Sequence, residues 1–245
     1  MPRLARFVVA GHPQNILIRG HNGMAVFNAE ADYCYYLNKL AEAAKKHQCD
    51  IHAYVLMPNH IHLLATPHKA DGLAKMMQIL GRDYGRYFNA TYQHTGSPWE
   101  GRYRASLVDG YNYALFCYCY IEQNPIRAGL AQNASDYPWS SYRSNALGKY
   151  NALITQHDLY LKLGKFESNR LEQYCILFEK PLELAYLAQL RDATNMAWAF
   201  GTKQFKLQIS SQLNRRVERL PKGGDRKSEQ YKQLNANFVL PVKVV

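Results

Sequence analysis

Apolar residues in the first 110 positions switch between two spacings. Residues 15–20, with Ile16, Leu17 and Ile18, form a short apolar run that reads as a strand. Over 29–47, Tyr33, Tyr36, Leu37, Leu40 and Ala44 recur at helical spacing, with Lys39, Lys45 and Lys46 outside. Residues 51–57 and 60–66 read as strands separated by the turn signal Pro58-Asn59, which predicts a hairpin. Leu73, Met76, Met77, Leu80, Tyr84, Tyr87 and Phe88 mark the apolar side of a helix over 72–92, and 100–108 reads as a fourth strand. The order β-α-β-β-α-β is the split-βαβ, or ferredoxin-like, unit. The expected fold class is therefore α+β, with an antiparallel sheet whose first and third strands are central. A further helix is predicted over 111–123, because Pro125 disfavours a helical residue ahead of it.

Beyond Tyr150 the strand signals stop. Residues 167–179, 182–200 and 203–216 read as helices broken at Pro181 and Gly201. The chain thus divides into a sheet domain at 1–149, a helical extension at 150–220 and a basic flexible tail at 221–245. The tail opens with Pro221-Lys222-Gly223-Gly224-Asp225-Arg226-Lys227-Ser228. No internal repeat is visible.

Charge narrows the partner. The chain carries 30 Lys and Arg against 19 Asp and Glu, a net charge of +11, which points to a polyanion. Its 19 tyrosines can stack on bases and bond phosphates, which favours nucleic acid. With 47% hydrophobic residues a core needs no covalent staples. No apolar run reaches the length of about eighteen residues expected of a membrane span. Met1-Pro2-Arg3-Leu4 does not open a secretory leader. The five cysteines, 34, 49, 117, 119 and 175, contain no CxxC pair and read as reduced thiols, Cys117 and Cys119 as packing residues. A cytoplasmic, nucleoid-associated protein is expected. No GxxxxGK[ST] loop is present, so no nucleotide cofactor is expected.

His60 and His62 are the first candidate chemistry. Strand alternation turns both imidazoles to one face and Ile61 to the other. Two such nitrogens are half of a metal site, although a solvated strand face gives the same pattern. Asn124 offers an amide oxygen that suits Mg²⁺ or Mn²⁺. Zinc would call for a carboxylate, a thiolate or a third histidine, and His52 in the neighbouring strand is an alternative ligand. Tyr120 precedes Asn124 by one turn, so the two can share a helix face. A nearby cation favours an ionised phenol, and phosphodiester cleavage needs an in-line oxygen and a polarised phosphate. Tyr111, Tyr113 and Tyr118 share that helix, so packing is the other reading of Tyr120. Arg82 and Arg86 lie four apart on the polar side of the long helix, as a phosphate-contacting stripe or a solvated face. Arg102 and Arg104 share one face of the fourth strand, and Arg127 follows the site. Trp99 and Trp139 read as core, and Glu122 as facing away from the site.

The stretch Met57-Pro58-Asn59-His60-Ile61-His62-Leu63-Leu64 resembles the His-hydrophobic-His motif of single-tyrosine transposases. Tyr120-Ile121-Glu122-Gln123-Asn124-Pro125-Ile126-Arg127-Ala128-Gly129-Leu130 is similar to the tyrosine segment of one branch, the REP-associated tyrosine transposases. Trp99-Glu100-Gly101-Arg102-Tyr103 and Tyr137-Pro138-Trp139-Ser140-Ser141-Tyr142 match in the expected order, so the resemblance spans roughly residues 1–145. It implies a ferredoxin-like HUH nuclease with His60, His62 and Asn124 as metal ligands and Tyr120 as nucleophile. Gln123 is the alternative third ligand. It further implies Mg²⁺ or Mn²⁺ as cofactor, single-stranded DNA with REP-type hairpins as substrate, a 5′-phosphotyrosine intermediate, and action as a monomer or homodimer. Two rivals remain at this level: a hairpin-binding module that does not cut, and a zinc hydrolase of small substrates.

Overall fold

Residues 7–219 and Glu229 are described in the computed structural model of this chain. The tail expected at 221–245 falls, apart from Glu229, outside them. The elements run β1 (Gln14–Arg19), α1 (Glu30–His47), β2 (Cys49–Met57), β3 (His60–Pro67), α2 (Gly72–Tyr92), β4 (Arg104–Val108), α3 (Gly110–Glu122) and α4 (Asn124–Arg127). The extension adds α5 (Tyr142–Asn145), α6 (Asp158–Leu161), α7 (Glu167–Glu179), α8 (Leu184–Met196), β5 (Ala199–Phe200) and α9 (Lys203–Leu213).

One sheet holds the strands in the order β2-β3-β1-β4-β5. The first four pair antiparallel, with β1 and β3 inside, as the split-βαβ pattern predicts. Both faces are covered, so β3 is apolar beyond simple alternation. Ile61, Leu63 and Ala65 face one core with Ile16, Ile18, α1 and α2. Leu64, Val55 and Met57 face a second core built from α3, α7 and α8. A bulge at His52 reverses the parity of β2, so Ile51 and Ala53 serve opposite cores despite lying two apart. His52 is buried there and satisfied, its ring nitrogens bonding the Thr155 carbonyl and Thr66 Oγ1 at 2.7 Å each. Trp99 is buried and donates Nε1–H to the Gly81 carbonyl, while Trp139 is half-buried and stacks on Tyr33.

Three local expectations change. The fourth strand starts at Arg104 rather than Glu100, because Gly101 takes φ +89 and breaks the extended run. Arg102 therefore lies ahead of the strand. The helix expected over 182–200 stops at Met196, where Ala197 adopts a left-handed cap. The next residues become β5, parallel to β4, and cover an edge that would otherwise expose unpaired backbone. Finally, the chain beyond Glu122 turns helically again as α4, with Pro125 near its start, where no N–H is required. Among the described residues, no helix is long and apolar enough to cross a membrane.

Candidate active site

The face of β3 that carries His60 and His62 looks toward α3. Cross-strand register sets Leu17 and Val55 beside His62, and Arg19 and Met57 beside His60. Directly paired residues project to the same face, so Arg19 stands next to His60. The two imidazoles meet edge-on with centroids 5.2 Å apart. His62 is buried at 4% exposure, and His60 is half-buried with Nδ1 bonded to Asn59 Oδ1 at 2.7 Å.

α3 delivers Tyr120 onto this pair. Its N-terminus is capped by Asp109, whose carboxylate accepts from the Asn112 backbone N–H, and its apolar residues Cys117, Tyr118 and Ile121 sink into the second core. Tyr120 comes to rest with its ring perpendicular to that of His62, centroids 5.4 Å apart. Arg127, at the end of α4, folds back over the Tyr120 ring at 4.7 Å and donates to the Tyr120 carbonyl at 2.8 Å. Tyr120 is 6% exposed, with both His62 and Arg127 against its ring.

Two amides were candidates for a third ligand. Gln123 donates its Nε2 to the Phe178 carbonyl on α7 at 2.7 Å and is engaged in packing. Asn124 instead has a buried Nδ2 with no hydrogen-bond partner, and His62 Nδ1 is likewise unpartnered. Buried polar groups without partners are costly and mark places where a ligand or ion completes the set. The ring nitrogens of His60 and His62 therefore fit a hard or borderline divalent ion, while the stranded Asn124 Nδ2 is an N–H donor that calls for an acceptor and leaves only Oδ1 as a ligating atom. Among the described residues, no group of three or more His, Cys, Asp or Glu converges, so a dedicated zinc-type site is not seen there.

Electrostatics keep both imidazoles in the neutral, ligating form. Burial and then Arg19 push His60 down to about 4. Burial, followed by His60, Arg127, Arg19 and Arg191, holds His62 well below its ordinary value. Arg19 and Arg191 were not singled out from the sequence. Arg19 becomes visible only once β1 is paired with β3, and Arg191 only once α8 is docked.

The other predicted arginines separate. Arg104 joins the row Arg104–Leu17–His62 and is tied to Asn195 Oδ1 at 2.7 Å, with Glu100 at 4.0 Å. Arg102 is exposed in the turn before β4. Arg82 and Arg86 are exposed on α2, which packs on the opposite face of the sheet, and Arg82 is paired with Asp83. Glu122 does turn away, into a buried set with Ser141, Asn145 and Tyr174. The segment 137–142 braces this region, since Tyr137 O–H donates to the Leu56 carbonyl and Ser141 Oγ accepts from the Tyr54 N–H.

The family model of IS200-like transposases matches residues 15–124. Comparison with curated protein sequences gives no match. Among solved structures, a REP-associated tyrosine transposase bound to a REP hairpin superposes with a TM-score of 0.51 at 18% identity, over 65% of this chain and 93% of that one. A Deinococcus radiodurans protein provisionally assigned as a transposase aligns over 56% of this chain and 98% of its own, at 17% identity and a TM-score of 0.33. Residues 15–124 are thus similar to the IS200-like transposase family, and the chain shares its fold with a REP-associated tyrosine transposase.

Proposed function

We propose that the chain is a metal-dependent endonuclease and strand transferase for single-stranded DNA with REP-type hairpins, acting at the nucleoid through a 5′-phosphotyrosine. The observation that carries this reading is the perpendicular contact of the Tyr120 and His62 rings. A phenol with no role beside a histidine pair would have little reason to be clamped there by Arg127 as well.

In this reading His60, His62 and the Asn124 amide oxygen hold one Mg²⁺ or Mn²⁺. Such an ion, held there, would supply polarisation of the phosphate. The Tyr120 oxygen attacks phosphorus and gives up its proton, the bond from phosphorus to the 3′ oxygen breaks, and a free 3′-OH leaves. The 5′ phosphate stays on Tyr120. Attack by another 3′-OH reverses the step and restores the phenol, so one phosphodiester is exchanged for another and no nucleotide is consumed. Arg127 fixes the ring, and Arg102, Arg104 and Arg127 contact backbone phosphates near it. Arg82 and Arg86, behind the sheet, contribute only to DNA that wraps round its edge.

One observation favours a second reading, a hairpin-binding protein that does not cut. Tyr120 and His62 are almost covered, at 6% and 4% exposure. A denaturing gel of protein mixed with labelled single-stranded hairpins and Mn²⁺ separates the two. A slow, covalent band with the natural chain and none with Tyr120→Phe is expected. Retention without any covalent band would favour the binder, and a band from Tyr120→Phe would remove Tyr120 as nucleophile.

A further inference from the structure

We propose that Arg191, on α8 of the C-terminal extension, joins Arg19 and Arg127 in one anion clamp beside Tyr120 that grips a DNA backbone phosphate. The inference rests on the reading of Tyr120 and the histidine pair as a DNA-cleaving site, and adds a binding group from outside the family-matched segment.

The three guanidiniums come from separate parts of the chain. Arg19 ends β1 in register with His60. Arg127 lies over the Tyr120 ring. Arg191 is brought in by the docking of α8 on β1 and β4. There Thr194 Oγ1 accepts from Asn15 Nδ2 at 2.8 Å and lies 3.2 Å from Ser106 Oγ. Asn195 Oδ1 accepts from Arg104 at 2.7 Å. Arg191 lies three and four residues before these two, so it shares their side of the helix. Asn15 and Ser106 pair across β1 and β4, and Arg104 continues that face to Leu17 and His62. Arg191 consequently acts on both His62 and Arg127.

Like charges gathered round neutral imidazoles repel one another unless an anion joins them. Among the described residues, Arg82 and Arg104 have carboxylate partners, at Asp83 and Glu100. None of Arg19, Arg127 and Arg191 forms an ion pair with a carboxylate there. Guanidiniums left without a carboxylate beside a phenol suit the oxygens of a phosphodiester. The extension then does more than cover the sheet edge, because it supplies part of the substrate-binding surface.

The test is anisotropy of a fluorescent, mixed-sequence single-stranded oligonucleotide in EDTA across a KCl series. It compares the full chain with Arg191→Gln, Arg191→Lys and Lys75→Gln. Lys75 sits on α2, paired with Asp71. Arg191→Gln is expected to weaken binding severalfold and to flatten the slope of log K against log salt by about 0.7, one phosphate contact on a single strand. Arg191→Lys should keep most of the slope, and Lys75→Gln all of it. An Arg191→Gln slope and affinity equal to the natural chain's would overturn the clamp, as would equal losses in Lys75→Gln. The covalent gel assay is run in parallel. A natural chain that forms the adduct while Arg191→Gln binds DNA normally sinks the clamp alone. A natural chain with no adduct, but with the expected Arg191 effect, supports the clamp and sinks the tyrosine reading.

Discussion

The ring of Tyr120 meets the ring of His62 at 88°, with 5.4 Å between their centroids. The contact joins β3 to α3 across the second core, so it is packing and candidate chemistry at once. The two roles can be separated by substitution.

His62→Ala removes the wall against which Tyr120 rests, and the cavity it leaves is expected to cost about 2–3 kcal/mol of stability. His60→Ala should cost less than about 1 kcal/mol, because His60 is half-buried at the end of the strand. Urea unfolding followed by circular dichroism checks both. Equal losses would mean that His62 is not the packing partner its burial indicates. Both substitutions should abolish the covalent adduct despite this difference in stability.

Glu122 gives the fold a pH dependence. It is fully buried, and that burial raises its pKa from 4.5 to about 7, even though Ser141, Tyr174 and Asn145 donate to the carboxylate. A raised pKa means that the native state holds the proton more tightly than the unfolded one between these values. Glu122 should therefore contribute a fall in stability of on the order of 3 kcal/mol as pH rises from about 4.5 to about 7. It is opposed over most of that window by His52, His60 and His62, which burial keeps neutral and whose lowered pKa makes stability rise with pH. Glu122→Gln should remove the fall, so the stability of the natural chain relative to Glu122→Gln should decline across the window. Denaturant midpoints of both chains across the window decide it, and a difference between them that does not change with pH would contradict the assignment.

The strand and helix periods made most of the sheet legible. α2 spans 72–92 as its apolar spacing predicts, and β1, β2 and β3 shift by at most two residues at either end. Local pattern could not show that Ala197 would cap a helix in the left-handed conformation and free residues 199–200 to pair with β4. That pairing depends on an edge more than ninety residues away. The site divides in the same way. His60 and His62 share a face by strand parity and α3 brings Tyr120 against His62, whereas Asn124 opens α4 beyond the end of that helix. Arg19 and Arg191 have no local signature, because their neighbourhood with His62 exists only after β1 and α8 are docked. Conversely, Arg82 and Arg86 look alike in sequence to site arginines, yet α2 lies behind the sheet.

Docking of α8 should depend on one hydroxyl. Thr194 Oγ1 accepts from Asn15 Nδ2, lies beside Ser106 Oγ and donates to the Leu190 carbonyl at 2.7 Å. All of these groups are buried. Thr194→Val keeps the shape but strands the Asn15 amide, so a loss of about 1–3 kcal/mol is expected. Hydrogen exchange should show the α8 amides opening more readily, while α1 and α2, in the other core, stay protected. Uniform acceleration over the whole chain would mean that the contact supports the entire fold rather than the extension.

Metal affinity should depend on DNA. The proposed ligands His60, His62 and Asn124 carry no charge, and the strongest charges acting on His62 include three arginines. A divalent ion brought into this setting without an anion meets repulsion, while a bound phosphate turns the same ion into a bridge between DNA and imidazole. Binding of Mn²⁺ to the Tyr120→Phe chain, followed by electron paramagnetic resonance, is therefore expected to tighten at least about tenfold, or 1.4 kcal/mol, when a single-stranded oligonucleotide is present. By reciprocity the DNA should bind tighter by the same factor when Mn²⁺ is added. A His60→Ala chain corrects for manganese held by the DNA alone. Removing one cation with Arg191→Gln should raise Mn²⁺ affinity in the absence of DNA. Manganese bound equally well with and without the oligonucleotide would show that the positive surroundings do not govern the site.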